Sequence, residues 1–160
     1  MLERTDPNFD NLIDLNISEF ESEQTLKNYL IQLPLVYATL MNEIESDIYK
    51  KSEVDGEVDY FPEFKQRYLP VFNAFCSDKK RVYGGQASSY GFPSEFDGIE
   101  SSVERNVELK NKNRAEVYFR TENNFEAEYL FIVVRKNGTW HIDNAKYRWY
   151  RSEKWKSMIL

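Results

Sequence analysis

The stretch YLFIVVRKNGTWHID, residues 129–143, constrains the fold more than any other part of the chain. Asn137-Gly138 joins two residues that tolerate positive φ, the requirement of a two-residue hairpin turn between twisted strands. The run before it, residues 129–134, is apolar at every position. Both faces of such a strand need cover, so it belongs in the middle of a sheet. Helices would cover one face. A curled sheet, a loop or a partner subunit would cover the other.

The flanking sequence supplies the neighbouring strands. IESSVERNVELKN alternates with Val103, Val107 and Leu109 as its apolar positions, KNKNR turns the chain into AEVYFRT, and TENN turns it again into FEAEYLFIVVR. Three successive hairpins predict a four-stranded antiparallel meander over residues 99–150. The front half reads as helix. Leu26, Leu30, Leu33, Tyr37, Leu40, Ile44 and Ile48 are spaced by three or four and make one continuous apolar stripe. Pro34 falls inside it and removes a hydrogen bond, which predicts a kink with the stripe kept in phase. A second helix follows, with Phe64, Tyr68, Val71, Phe72 and Phe75 at helical spacing. Helices first and hairpins after imply an α+β domain, helices packed on an antiparallel sheet. One domain over residues 1–160 is expected, with residues 1–20 as a polar lead-in arm.

Charge is distributed unevenly. Residues 1–63 carry 15 acids against 4 bases, and residues 64–160 carry 12 acids against 17 bases. Such polarity steers a charged partner, although helix faces also use charge simply to stay solvated. The acidic half is a poor surface for nucleic acid, and the basic half has no dense Lys/Arg run. No apolar run is long enough for a membrane span, and no export signal is visible at the start. The single cysteine, Cys76, excludes an internal disulfide and fits a reducing compartment, so a cytoplasmic location is expected.

Few residues offer chemistry. His141 and Asp143 lie two apart on an expected strand, which would put both on one face and let the carboxylate orient the ring. No nucleophile marks itself beside them, so a histidine bonded to a polar neighbour is the simpler reading. One histidine and one cysteine are too few for a zinc site, and the acidic stretch lacks calcium-loop spacing, so neither metal nor cofactor is expected. The one enzymatic arrangement worth testing is a buried carboxylate, Asp143, beside Tyr118 or Tyr129 in the interior of a cone.

Three motifs carry a resemblance. FCSDKKRVYG (residues 75–84), SSYGFPSEFD (88–97) and WHIDNAKYRWYRSEKWK (140–156) resemble, in this order, bacterial immunity proteins of the nuclear transport factor 2-like fold. Those are the small partners encoded beside polymorphic, Rhs-type toxins. The resemblance implies a cone of N-terminal helices on a curved antiparallel sheet. It implies a stoichiometric inhibitor and no catalytic residues to carry over. Its shared residues read as architecture: Gly91-Phe92-Pro93 as a fixed turn, Asn137-Gly138 as the hairpin, and Trp140, Trp149 and Trp155 as packing, with Lys146, Arg148 and Arg151 left in solvent. The expected partner is a cognate toxin, a basic nuclease-type domain by charge. The expected contact is the acidic surface of Glu43, Glu45, Asp47, Asp55, Glu57 and Asp59, whose alternative reading is a solvated helix end and loop. A homodimer through the sheet stays open. The rival readings are an isomerase- or dehydratase-like enzyme with a polar pocket inside the cone, and a plain dimerisation module.

Overall fold

The apolar stripe of the front half forms a single helix, α1 (Glu23–Val54), 32 residues long. The computed structural model describes residues 23–81, 90–149 and 152–158, and the expected arm of residues 1–20 lies outside them. Leu30, Leu33, Tyr37, Ile44 and Ile48 are buried, while Leu26 and Leu40 pack at the margin. Pro34 is itself buried within α1, and the helix is not broken there. Tertiary packing along the stripe compensates for the hydrogen bond that the proline cannot donate. Helix α2 (Phe61–Phe75) begins with Pro62 in its first turn, where a missing N–H costs nothing, and packs against α1.

The back half is one antiparallel sheet in the order β1-β2-β3-β4-β5. Its strands are β1 (Glu104–Asn111), β2 (Arg114–Arg120), β3 (Glu128–Lys136), β4 (Thr139–Arg148) and β5 (Lys156–Ser157). The apolar strand β3 is central, as its sequence requires, and Asn137 and Gly138 adopt φ of 54° and 78° in the hairpin. The meander has five strands where four are expected. The fifth pairs only Ser157 with Lys146 and Lys156 with Tyr147, too short to leave a periodic signal.

The first strand also starts later than its alternation suggests. Residues Ile99–Ser101 form a 3-10 turn entered through Gly98, whose φ is 83°. A Cβ at Gly98 would lie 3.1 Å from the Asn123 Cβ and 3.3 Å from the Thr121 Cβ, so only glycine satisfies both the backbone and the space.

Between helices and sheet lies one core. Phe119, Phe131, Val133, Trp140 and Ile142 point inward from the strands to meet Leu33, Tyr37, Phe64 and Phe75. Phe96, from the segment that connects the two halves, is fully buried among them. It packs on Tyr37, Tyr129 and Phe131 with ring centroids 6.0, 5.9 and 5.5 Å away. Among the described residues, no helix is long and apolar enough to cross a membrane.

Candidate functional site

Two side chains of α1, three residues apart and so on one helical face, fix the connecting segment. Asn42 is buried and clamps the Phe96 backbone from both sides. Its amide donates to the Phe96 carbonyl at 2.9 Å, and its oxygen accepts from the Phe96 N–H at 3.0 Å. The Glu45 carboxylate accepts from the Glu95 N–H at 3.2 Å on both oxygens. From the sheet side, Asn123 donates to the Asp97 carbonyl at 3.0 Å while its oxygen accepts from the Ala127 N–H at 2.9 Å. Tyr129 Oη donates to the same Asp97 carbonyl at 2.8 Å. Residues 94–97 are therefore bolted to both layers, and a cleft opens on each side of them.

The first cleft, about 490 Å³, lies between α1 and this segment. Among the described residues, Glu43, Asp47, Asp97 and Glu100 line it against a single base, Lys50. Phe92 stands at its rim, 78% exposed, and stacks on Tyr49 with centroids 5.6 Å apart. The second cleft, about 480 Å³, opens toward β3, β4 and β5. Phe125 and Trp149 stack at 5.3 Å along it, with Tyr129 and Tyr147 behind and Glu95 and Asp97 as its acids. Burial raises the Glu95 carboxyl to about 8, helped by the nearby Glu45. Burial likewise takes Glu45 up to about 7, against the opposing hydrogen bonds from the Glu95 and Gly91 backbone.

Of the six acids read as a partner surface, Glu43 and Asp47 lie exposed on the first cleft. Asp55, Glu57 and Asp59 are exposed in the connection to α2. Two of these also have local duties: Asp55 accepts from the Glu57 N–H, and Asp59 accepts from the Phe61 N–H at the start of α2. Asp47 pairs with Arg67 at 3.1 Å. Glu45 departs from expectation. It is 7% exposed, because position 45 faces the connecting segment while 43 and 47 face outward.

The histidine–aspartate arrangement is also corrected. Ile132 pairs with Asn144 and Val133 with Ile142, so Asp143 is the extra residue of a β-bulge. Its carboxylate accepts from Ser77 Oγ at 2.7 Å and pairs with Lys79 at 3.2 Å, while Arg81 donates to its carbonyl at 2.6 Å. Burial works to raise this carboxyl, but Ser77, Lys79 and Arg81 together hold it below the usual range. Asp143 thus moors the chain leaving α2, where the Ser77 N–H also donates to the Ile142 carbonyl. The expected pairing of Asp143 with Tyr118 or Tyr129 does not assemble. Tyr118 Oη donates to Glu128, and Tyr129 Oη to the Asp97 carbonyl.

The three tryptophans fall in different settings, because the chain leaves β4 after Arg148 and doubles back to β5. Trp140 is buried, Trp149 is 49% exposed, and Trp155 covers Arg148 at 4.3 Å and meets Tyr118 edge-on. Arg148 is not left in solvent but forks onto Glu128 at 2.8 and 3.2 Å. Lys146 is half-buried, and Arg151 lies outside the described residues, as do residues 82–84 of the first motif and 88–89 of the second. Among the described residues, no three of His, Cys, Asp and Glu gather to hold a metal ion.

Comparison with known proteins bears on the whole of this architecture. Immunity protein RhsIA of Dickeya dadantii (strain 3937) is 27% identical over 138 residues, spanning 84% of this chain and 93% of that protein. No solved structure matches. The family of nuclear transport factor 2 (NTF2) fold immunity proteins matches residues 21–158, which takes in every described residue of the chain. The chain belongs to the NTF2 fold immunity protein family.

Proposed function

We propose that this chain binds a cognate toxin domain in the cytoplasm and holds it inactive, one inhibitor per toxin. Membership of an immunity-protein family over residues 21–158 carries this reading. A free toxin is harmful at low concentration, so the complex has to be tight, nanomolar or better, which corresponds to about -12 kcal/mol. The contact surface we assign is the acidic face of Glu43, Asp47, Asp55, Glu57 and Asp59, with a basic, nuclease-type toxin as its complement. Glu45 is left out of that face because it is buried. Phe92 supplies an exposed aromatic anchor beside the acids.

The test is to mix the chain with its toxin domain and read a one-to-one complex by size exclusion with light scattering. In calorimetry, Glu43→Lys with Asp47→Lys is expected to weaken binding by about tenfold or more at low salt, with a shallower salt dependence. A complex of unchanged affinity and salt dependence would remove this placement and leave the function standing.

One observation favours a second reading, a small-molecule enzyme. The cleft beside β3 and β4 holds a carboxyl, Glu95, tuned up to about 8, the property expected of an acid–base catalyst. Stoichiometry separates the two. An inhibitor protects only at one copy per toxin, whereas a catalyst acts far below that ratio. The interior of the cone gives the enzyme no room, since Phe96, Phe119, Phe131 and Trp140 fill it.

A further inference from the structure

The aromatic cleft has the makings of a receptor for positive charge. Phe125 and Trp149 are 46% and 49% exposed, an unusual position for two large rings that stack on each other. Behind them stand Glu95 and Asp97, and none of the described residues lining the cleft is a lysine or arginine. Among the described residues, the Asp97 carboxylate takes one hydrogen bond, from Asn123 at 3.2 Å. Among the described residues, the Glu95 carboxyl takes none from any donor and makes no ion pair. The cleft therefore offers carboxyl acceptors and ring faces, with no cationic side chain among its described lining residues.

We infer that this cleft receives a single basic side chain, arginine or lysine, projecting from the toxin. The inference rests on the immunity reading above and adds to it the place and the chemistry of one contact.

Alternative occupants fit less well. An acidic side chain would meet two carboxyls in a partly desolvated space. An apolar one would pack on the rings but leave Glu95 shut away from water and unpaired. A guanidinium or ammonium stacks on the rings and bonds the Asp97 carboxylate. By its own charge it favours release of the Glu95 proton to solvent, so that this carboxyl too becomes a partner. The indole already accepts a cation at its rim, where Lys156 Nζ lies 5.6 Å from the Trp149 ring. Ser94 and Asp97 line both this cleft and the acidic cleft beside α1, so one toxin surface reaches the two together.

The experiment titrates the toxin domain into the full chain and into Glu95→Gln, Glu95→Lys and Trp149→Ala, with circular dichroism and melting curves as folding controls. The expected result is a Kd raised about tenfold by Glu95→Gln and Trp149→Ala and about a hundredfold by Glu95→Lys. An alanine scan of the toxin's arginines and lysines should find one whose loss is felt by the wild type and not by Glu95→Gln. Should Glu95→Lys fail to fold, Trp149→Ala carries the test, because its ring is half exposed. If the wild type binds the toxin and the folded variants bind within twofold of it, the cleft contact is overturned and the immunity reading stands. If the wild type binds no toxin, both fall together.

Discussion

Replacing Phe96 with alanine should destabilise the protein by about 3–5 kcal/mol, close to the whole stability of an ordinary domain. The ring is completely buried and touches Tyr37 from α1 and Tyr129 and Phe131 from β3, so it joins the two layers. The Asn42 clamp holds the backbone of this residue in place, which limits how far the segment can collapse into the space left behind. A cavity that cannot close adds its own cost to the lost burial. Phe92, four residues earlier, is the internal control. It is 78% exposed and, among the described residues, stacks on Tyr49 alone, so Phe92→Ala should stay within about 0.5 kcal/mol. Urea unfolding checks both, with a lower midpoint and unchanged slope expected for Phe96→Ala. Equal midpoints for the two variants would contradict the packing described.

The second large effect is on pH dependence. Glu45 and Glu95 hold their protons in the folded state up to about 7 and about 8, chiefly because burial disfavours the charge. In the unfolded chain both release them in the usual carboxylate range, near 4 to 4.5. Between those limits the folded state binds more protons, so stability falls as pH rises. The contribution is complete below the unfolded values and is lost as pH climbs through 7 to 8. The slope should be on the order of 1 kcal/mol per pH unit between pH 5 and 7. Asp143 and Glu128 act in the opposite sense, since both are held below the usual range. For each, burial pushes upward and is outweighed: by Ser77 and Lys79 at Asp143, by Arg148 and Tyr118 at Glu128. Their stabilisation is lost only as pH falls through those depressed values, so the two windows do not overlap. Midpoints of urea unfolding from pH 5 to 8 should decline for the wild type and flatten for the Glu45→Gln, Glu95→Gln double variant. A wild-type profile that rises across this range would contradict the assignment.

Legibility from sequence follows the range of the interactions involved. The α1 stripe, the central β3 and the Asn137-Gly138 turn are written in neighbouring residues, through periodicity and φ preference, and all three stand in the structure as read. The bulge at Asp143 was not legible. It arises where the strand meets Ser77, Lys79 and Arg81, more than 60 residues away in the chain. Phe96 and Glu95 sit in a glycine- and proline-punctuated stretch that reads as loop, and only the clamps from Asn42, Glu45 and Asn123 turn it into core. A faint signal did exist, since Asn42 and Glu45 are polar positions on the flank of an apolar helical stripe. The acidic surface was legible as composition, but composition could not separate buried Glu45 from exposed Glu43 and Asp47.

The central claim is that this chain protects a cell by occupying a toxin. The direct measurement is growth of a host carrying the toxin domain on one inducible promoter and this chain on another. Growth should be lost with the toxin alone and restored once the chain reaches equimolar amounts, with the two proteins then purifying together in a one-to-one ratio. Continued killing at excess chain, or protection at a small fraction of the toxin's amount with no complex formed, would contradict it.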